Sequence, residues 1–339
     1  MKLVSFIKNG SSCAGLIVGD MVYDIYMLHI GMPGTIAELL NHWDECYPNL
    51  MDLSDELEHS DKLKNRGLKL NEVKCIAPVP HPPSLRDGYA FRQHVETARR
   101  NRGLEMTPVL DAFPVFYFGN HHSVYGPGEI YCMTDHFKKL DFELEAAVVI
   151  SKKGKNITAE KADDFIAGLM ILNDFSARTL QMEEMLLNLG PAKGKDFAST
   201  TGPWLVTLEE LIHKEVPCKK NHIGKSWNLK MSASVNGQPV SSGNLADMEW
   251  TFAELIARAS YGVELFPGDI IGSGTVGTGC FLELNGTGKL NNPEYPEQWL
   301  LPNDEIELQI ENLGFLRNTI KKEATDYSIL QLKKPNTER

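Results

Sequence analysis

The sequence predicts a β-rich α+β protein, a mixed β-sandwich roll preceded by a small N-terminal β/α domain. Three observations carry this prediction. Short strand-like runs bounded by Gly, Pro, Asn and Asp recur from about residue 113 onward. Helical stretches are few and do not alternate with strands as a parallel α/β sheet requires. A proline-rich segment, Cys75-Ile-Ala-Pro-Val-Pro-His-Pro-Pro83, separates a short first part from a long second one. Residues 1–78 are therefore expected to form the small domain and residues 79–339 the large one.

Element by element, Leu3–Ile7, Ala14–Asp20 and Val22–Tyr23 read as strands, the last two joined by a Gly/Asp turn. Helices follow near 35–44 and 51–66. Ser84-Leu-Arg-Asp87 has the form of a capping box with Asp in place of Glu, which predicts a helix from there to about Arg100. Strands are expected at Pro114–Gly119, Asp141–Ile150 and Ile166–Asn173, then a helix over 176–189 stopped by Gly190-Pro191. Leu229–Val240 is a hairpin around Asn236-Gly237, a pair that favours the type I′ turn. A helix at Thr251–Ser260 precedes strand-like runs at Pro267–Gly274, Cys280–Leu284 and Asp304–Glu311, the last alternating polar and apolar.

Composition narrows the function. The 339 residues are 42% hydrophobic and 23% charged, enough for a substantial core. A net charge of −11 argues against nucleic acid or an anionic membrane as partner. No run approaches the ~18 apolar residues of a membrane span. Met1–Lys8 is broken by charge too soon to read as a signal peptide. Six dispersed cysteines without a Cys-x-x-Cys read as reduced thiols of a cytoplasmic protein. Gly272-Ser-Gly-Thr-Val-Gly277 fits a dinucleotide-binding glycine pattern only formally, because its context is strand and turn.

The acidic residues carry the chemistry. Glu143 and Glu145 sit in the apolar run Asp141-Phe-Glu-Leu-Glu-Ala-Ala-Val-Val-Ile150, and Asp174 lies in another, Leu172-Asn-Asp-Phe175. Carboxylates are costly among Val, Ile and Leu unless paired or bound to metal. A strand places residues i and i+2 on one face, roughly 7 Å apart, so Glu143 and Glu145 are expected to face one way with Asp174 completing a three-carboxylate cup. Oxygen donors alone suit Mg²⁺, Mn²⁺ or Ca²⁺ rather than zinc. The alternative is a strand with a solvated acidic face.

Other candidates are ambiguous one by one. On a helix through 87–100, Asp87 and His94 would project from one face two turns apart, with Tyr89 beside them. Arg99, Arg100 and Arg102 also suit a helix C-terminus. Asp174, Arg178 and Gln181 would line one stripe if a helix began at Asp174, or form an ordinary ion pair. Lys195 lies in a small-residue loop, and Thr275 and Glu283 are unremarkable alone.

Taken in order, the motifs resemble the fumarylacetoacetate hydrolase family. The resemblance rests on Asp141-Phe-Glu-Leu-Glu-Ala146, Asn173-Asp-Phe-Ser-Ala-Arg178 with Gln181, Gly194-Lys-Asp-Phe197, Gly202-Pro-Trp204, Pro267-Gly-Asp-Ile-Ile271 and Gly274-Thr275, and covers about residues 80–320. Asp87-Gly-Tyr-Ala-Phe-Arg-Gln-His94 is similar to a pattern of true fumarylacetoacetases that many small relatives lack, and Leu282-Glu-Leu284 to the strand bearing that histidine's glutamate partner.

The resemblance implies a compact, bacterial-type short form, a homodimer, and cleavage of 4-fumarylacetoacetate to fumarate and acetoacetate in tyrosine and phenylalanine catabolism. It implies Asp87, Glu143, Glu145 and Asp174 as ligands of Mg²⁺ or Ca²⁺, with Mn²⁺ also suitable. It implies His94 and Glu283 as the water-activating pair, with Arg178, Gln181 and Lys195 around the metal. Tyr89, Tyr117 and Thr275 would contact the diketo-acid substrate, and Arg100 or Arg102 its carboxylate. Acylpyruvate hydrolase, oxaloacetate decarboxylase and catechol-pathway hydratase/isomerase activities are the alternatives within the family. A non-catalytic divalent-ion-binding dimer is the alternative outside it, and such a protein has no need of His94 and Glu283.

Overall fold

A twelve-stranded and a five-stranded β-sheet, packed through a shared core, dominate the computed structural model, which describes residues 1–59 and 63–334 and, among them, three further two-stranded sheets. The chain opens with a meander of β1 (Lys2–Lys8), β2 (Ser11–Val18) and β3 (Met21–Asp24). Helices α1 (Ile36–Asn41) and α2 (Trp43–His59) follow. The second begins earlier than the expected 51–66, and part of that expected range, 60–62, lies outside the described residues.

Beyond the proline-rich segment come β4 (Leu85–Gly88), α3 (Arg92–Arg100), β5 (Phe116–Gly119) and β6 (Gly128–Cys132). Next are β7 (Leu144–Ile150), β8 (Ile166–Asp174), α4 (Arg178–Met185) and β9 (Ser199–Val206). The chain ends through β10 (Lys230–Val235), β11 (Gln238–Asn244), α5 (Phe252–Ser260), β12 (Ile270–Gly272), α6 (Phe281–Asn291), β13 (Glu305–Ile310) and β14 (Gly314–Lys322).

Among the described residues the larger sheet has twelve strands, with β3-β2-β1-β9-β8-β7-β12-β4-β5 as its consecutive spine. Residues 1–78 share it with the rest of the chain, because Lys2 and Leu3 pair with Val206 and Leu205. The smaller sheet has five strands in the order β11-β10-β13-β14-β6. β7 is buried on both faces. Leu144, Ala146, Val148 and Ile150 pack with Met231, Leu308 and Leu316 of the smaller sheet. Ala147 and Val149 pack with Leu39, Leu50 and Leu53 of the N-terminal helices. A strand covered on both sides has no reason to alternate polar and apolar residues.

Several local expectations hold. Asn236 and Gly237 both have positive φ (51° and 75°), as a type I′ hairpin turn requires. The helix expected at Thr251–Ser260 is α5, and the structure adds a reciprocal capping box between Thr251 and Glu254 at its start.

Three expectations are corrected. Leu85–Gly88 is a strand, not the first turn of a helix ending at Arg100. It pairs in parallel with β12 and antiparallel with β5, and ladders on both edges outweigh a local capping signal. Asp87 and His94 therefore do not share a helical face. Cys280–Leu284 is not a strand but the start of α6, and its first N–H groups are met by a distant carboxylate, described below. Asp174 ends β8, so it makes no helical stripe with Arg178 and Gln181, and the helix expected over 176–189 covers only Arg178–Met185.

Candidate active site

β4, β5, α3, α4, α6 and the segment just before β7 meet at one cavity of about 600 Å³. Asp87, Tyr89, His94, Tyr117, Glu143, Arg178, Gln181, Lys195, Thr275 and Glu283 all line it.

Asp87, Glu143 and Glu145 each place a carboxylate oxygen within 4.8 Å of the others, and all three are buried. Glu143 precedes the first residue of β7, so the same-face argument for the two glutamates does not strictly apply, yet their carboxylate oxygens still come within 4.8 Å of each other. Asp87 reaches in from β4, where Gly272 faces it. A Cβ on Gly272 would stand 2.2 Å from Asp87 Oδ1, so the carboxylate fits only beside a residue without a side chain. Asp87 Oδ1 also accepts the Gly274 N–H at 3.1 Å.

The fourth expected acid, Asp174, lies outside that triplet. Its Oδ2 accepts from Lys195 Nζ at 2.6 Å and from the Tyr117 hydroxyl at 2.5 Å. Lys195 also bonds Glu143. Tyr117 is thus committed to Asp174 as well as lining the cavity. Thr275 Oγ1 donates to Glu145 Oε1 at 3.3 Å.

The charges do not balance within the triplet. Burial pushes Glu143 up, but the Lys195 and Arg178 cations outweigh it and hold the carboxyl at about 2. Burial, with Asp174 nearby, pushes Asp87 up to about 7. Burial and the adjoining Asp87 push Glu145 well above the usual carboxylate range. Among the described residues Glu145 Oε2 is buried without a donor to it, and the Asp87 carboxyl stands against the Glu145 side chain. An unpaired buried carboxylate oxygen beside two more carboxylates fits a divalent cation, and a donor set made only of oxygens fits a hard one.

In the same cavity His94, on α3, and Glu283, on α6, form a buried pair, Nδ1 to Oε2 at 2.7 Å. The edge of the Tyr89 ring abuts the imidazole, centroids 5.6 Å apart. Asn101 Nδ2 donates to the Glu283 carbonyl at 3.0 Å and ties α3 to α6. With Nδ1 engaged by the carboxylate, Nε2 is the nitrogen left for proton transfer.

Asp141 organises both halves of this site, and its role was missed from sequence. It is fully buried, accepts the N–H groups of Phe281 and Leu282 at 2.8 and 2.9 Å, and takes Arg178 Nε at 2.8 Å. It therefore anchors the start of α6, where Glu283 sits, to the arginine whose Nη2 holds Glu143 at 2.7 Å. The carboxylate standing before Phe142 was visible, but nothing local reveals a partner 140 positions away. Arg178 Nη1 also donates to Gln181 Oε1 at 3.0 Å, leaving the Gln181 amide hydrogens as donors.

Arg100 is corrected. Its guanidinium bonds Thr287 Oγ1 and Asn101 Oδ1, both at an exposed surface, and Arg102 rather than Arg100 lines the cavity. Arg102 comes just after α3, and the turn there carries it around to the cavity side. Apolar lining comes from Val115, Phe116, Met182, Met185 and Trp299. No signal in the sequence marked these five.

The sequence model of the fumarylacetoacetate (FAA) hydrolase C-terminal region matches residues 84–321, a span that contains every site residue from Asp87 to Glu283. The chain belongs to the fumarylacetoacetate hydrolase family and is an enzyme of that superfamily. It is 30% identical to oxaloacetate tautomerase YisK of Bacillus subtilis (strain 168), over 85% of this chain and 87% of that protein. It is 33% identical to a fumarylacetoacetase of Arabidopsis thaliana, over 50% of this chain but 44% of that protein. The fold is similar to that of maleylpyruvate hydrolase from Sphingobium sp. SYK-6, solved with manganese (II) and pyruvate, at a TM-score of 0.68 and 20% identity, covering 95% of this chain and 99% of that one. Among the described residues, no helix is long and apolar enough to cross a membrane.

Proposed function

We propose that this enzyme hydrolyses a carbon–carbon bond in a 1,3-diketo acid, with 4-fumarylacetoacetate as the substrate that best fits the site. The observation that carries this reading is the buried His94–Glu283 pair at 2.7 Å, which lines the same cavity as Asp87 and Glu143 of the carboxylate triplet. Asp87, Glu143 and Glu145, joined by Asp174, would hold Mg²⁺, Mn²⁺ or Ca²⁺. When bound there, such an ion supplies a Lewis acid that chelates and polarises the two oxygens of the diketo group.

His94 Nε2 takes a proton from water, and Glu283 stabilises the imidazolium that forms. The water oxygen bonds to the keto carbon, and the amide hydrogens of Gln181 stand ready for the tetrahedral oxyanion, with the Lys195 ammonium adding positive charge. When the oxyanion collapses, the carbon–carbon bond breaks. The His94 imidazolium returns its proton to the departing enolate carbon, so the products are a carboxylic acid and a methyl ketone acid. Arg102 receives a terminal carboxylate, and Tyr89 packs against the substrate. Phe116, Met182, Met185 and Trp299 accept the longer acyl arm.

A second reading is oxaloacetate tautomerase activity, favoured by the 30% identity with YisK over most of both chains. Moving a proton between carbon and oxygen needs one acid–base group and no water nucleophile. A cavity of about 600 Å³ with apolar lining from Phe116, Met182, Met185 and Trp299 among others is generous for a four-carbon acid and supports the longer substrate. The test is a comparison on metal-loaded protein. Loss of diketone ultraviolet absorbance with 4-fumarylacetoacetate, and release of fumarate, is expected at a kcat/KM at least tenfold above that for oxaloacetate keto–enol exchange. The reverse order favours the tautomerase.

A further inference from the structure

Cys280 stands immediately before α6 and is fully buried. Its Sγ, a ring nitrogen of His94 and a carboxylate oxygen of Glu283 all lie within 4.8 Å of one another. The proposed hydrolysis gives the thiol no task. Burial pushes it well above the usual thiol range, so it rests protonated and is not a nucleophile.

One thiol, one imidazole and one carboxylate at this spacing are the donor set of a borderline-soft, tetrahedral cation. The set differs in kind from the oxygen-only triplet of Asp87, Glu143 and Glu145. Mg²⁺ and Ca²⁺ avoid sulfur, whereas zinc takes sulfur, nitrogen and oxygen together. His94 and Glu283 line the cavity while Cys280 does not, so an ion arriving from the cavity meets the first two with the thiol behind them. A fourth position remains on the cavity side for water.

We propose that His94, Cys280 and Glu283 form a second cation site, selective for Zn²⁺, whose occupation switches the hydrolase off. Binding exchanges the thiol proton, released to solvent, for a zinc–sulfur bond, and no electron changes hands. The 2.7 Å contact of Nδ1 and Oε2 opens to the roughly 3.3 Å that separates two ligands of a tetrahedral zinc. The imidazole lone pair then belongs to the ion, and no base remains to activate water. The inhibitory half of this proposal rests on the reading of His94 as the base; the binding half does not.

The experiment uses the full chain saturated with Mg²⁺. Zn²⁺ is titrated against turnover of 4-fumarylacetoacetate in the wild type, in Cys280→Ser and in Cys280→Ala, each checked by thermal melting. Cd²⁺ is titrated in parallel and read by its thiolate charge-transfer absorbance. We expect zinc to inhibit the wild type without relief by excess Mg²⁺, and both variants to turn over normally while needing at least tenfold more zinc. We expect the first equivalent of Cd²⁺ to give a thiolate band in the wild type that both variants lack. Equal zinc sensitivity in all three proteins, or relief by Mg²⁺, overturns the inhibition, because zinc would then be acting at the oxygen-only triplet. Absence of a thiolate band in the wild type overturns the site whether or not the variants fold. A protein inactive on the diketo acid but showing the Cys280-dependent band keeps the site and refutes the hydrolase reading instead.

Discussion

His94 Nδ1 lies 2.7 Å from Glu283 Oε2, although the two residues are 189 positions apart and stand on different helices. Both side chains are nearly inaccessible, so the contact is a hydrogen bond shielded from water on both sides.

His94→Ala is expected to lower kcat on 4-fumarylacetoacetate by about 10²–10⁴-fold, the usual contribution of a positioned base. Glu283→Gln should fall in the same range or somewhat less, because the imidazole keeps a hydrogen-bond partner but loses the stabilising charge. In both variants the rise in melting temperature on adding Mg²⁺ or Mn²⁺ should persist. Near-wild-type turnover by His94→Ala removes the base from the scheme.

Metal binding should depend on pH in a definite direction. Asp87, pushed up to about 7, and Glu145, pushed well above the usual carboxylate range by burial and the adjoining Asp87, are harder to ionise in the metal-free fold than in an unfolded chain. Folded-state values above the unfolded ones mean that these two groups favour the metal-free fold at low pH and cost stability as pH rises through about 7. A divalent ion displaces protons from these groups, so the thermal shift it produces should grow from pH 5.5 to pH 8. Calorimetry in buffers of different ionisation enthalpy should register proton release. Glu145→Gln should weaken the affinity at least tenfold at pH 8 and flatten this dependence; unchanged affinity would place the ion elsewhere.

Asp141→Asn tests the anchor of α6. The substitution keeps the shape but leaves the Arg178 guanidinium short of one buried counter-ion. Breaking a buried pair in this way costs about 3–5 kcal/mol. Denaturant unfolding should show a loss of that order, and kcat should fall with it because Glu283 rides on the helix that Asp141 holds. A loss under 1 kcal/mol would mean that the start of α6 is secured by other contacts.

His136 should limit acid stability. Its ring stacks on Phe197 at 4.1 Å between centroids, and Nδ1 accepts the Met133 N–H at 3.2 Å, so the neutral form is required. Burial lowers the group to about 4 from its usual value near 6.5. A depressed value means that its stabilisation is complete above about 6.5 and is lost as pH falls toward 4, up to about 3 kcal/mol. His136→Gln should flatten the stability profile between those limits, measured as unfolding free energy against pH. An unchanged acid limb would assign the loss to other groups.

Much of this protein was legible in its sequence for one reason: charged side chains inside apolar runs are too costly to be accidental. Glu143, Glu145 and Asp174 announced themselves that way, Asn236-Gly237 placed a turn by local backbone chemistry, and the helix at Thr251–Ser260 was expected, though the capping box that opens it was not marked. What tertiary structure alone decided is where the chain changes from one element to another around the cavity. Leu85–Gly88 became a strand because β12 and β5 offered it ladders on both edges. Phe281–Asn291 became a helix at whose start a carboxylate 140 positions away receives the free N–H groups. Arg102 rather than Arg100 met the cavity because the turn after α3 points it there. Local sequence encodes the cost of burying each group, but the partners that offset that cost are supplied by segments far along the chain, and only folding brings them within hydrogen-bond reach.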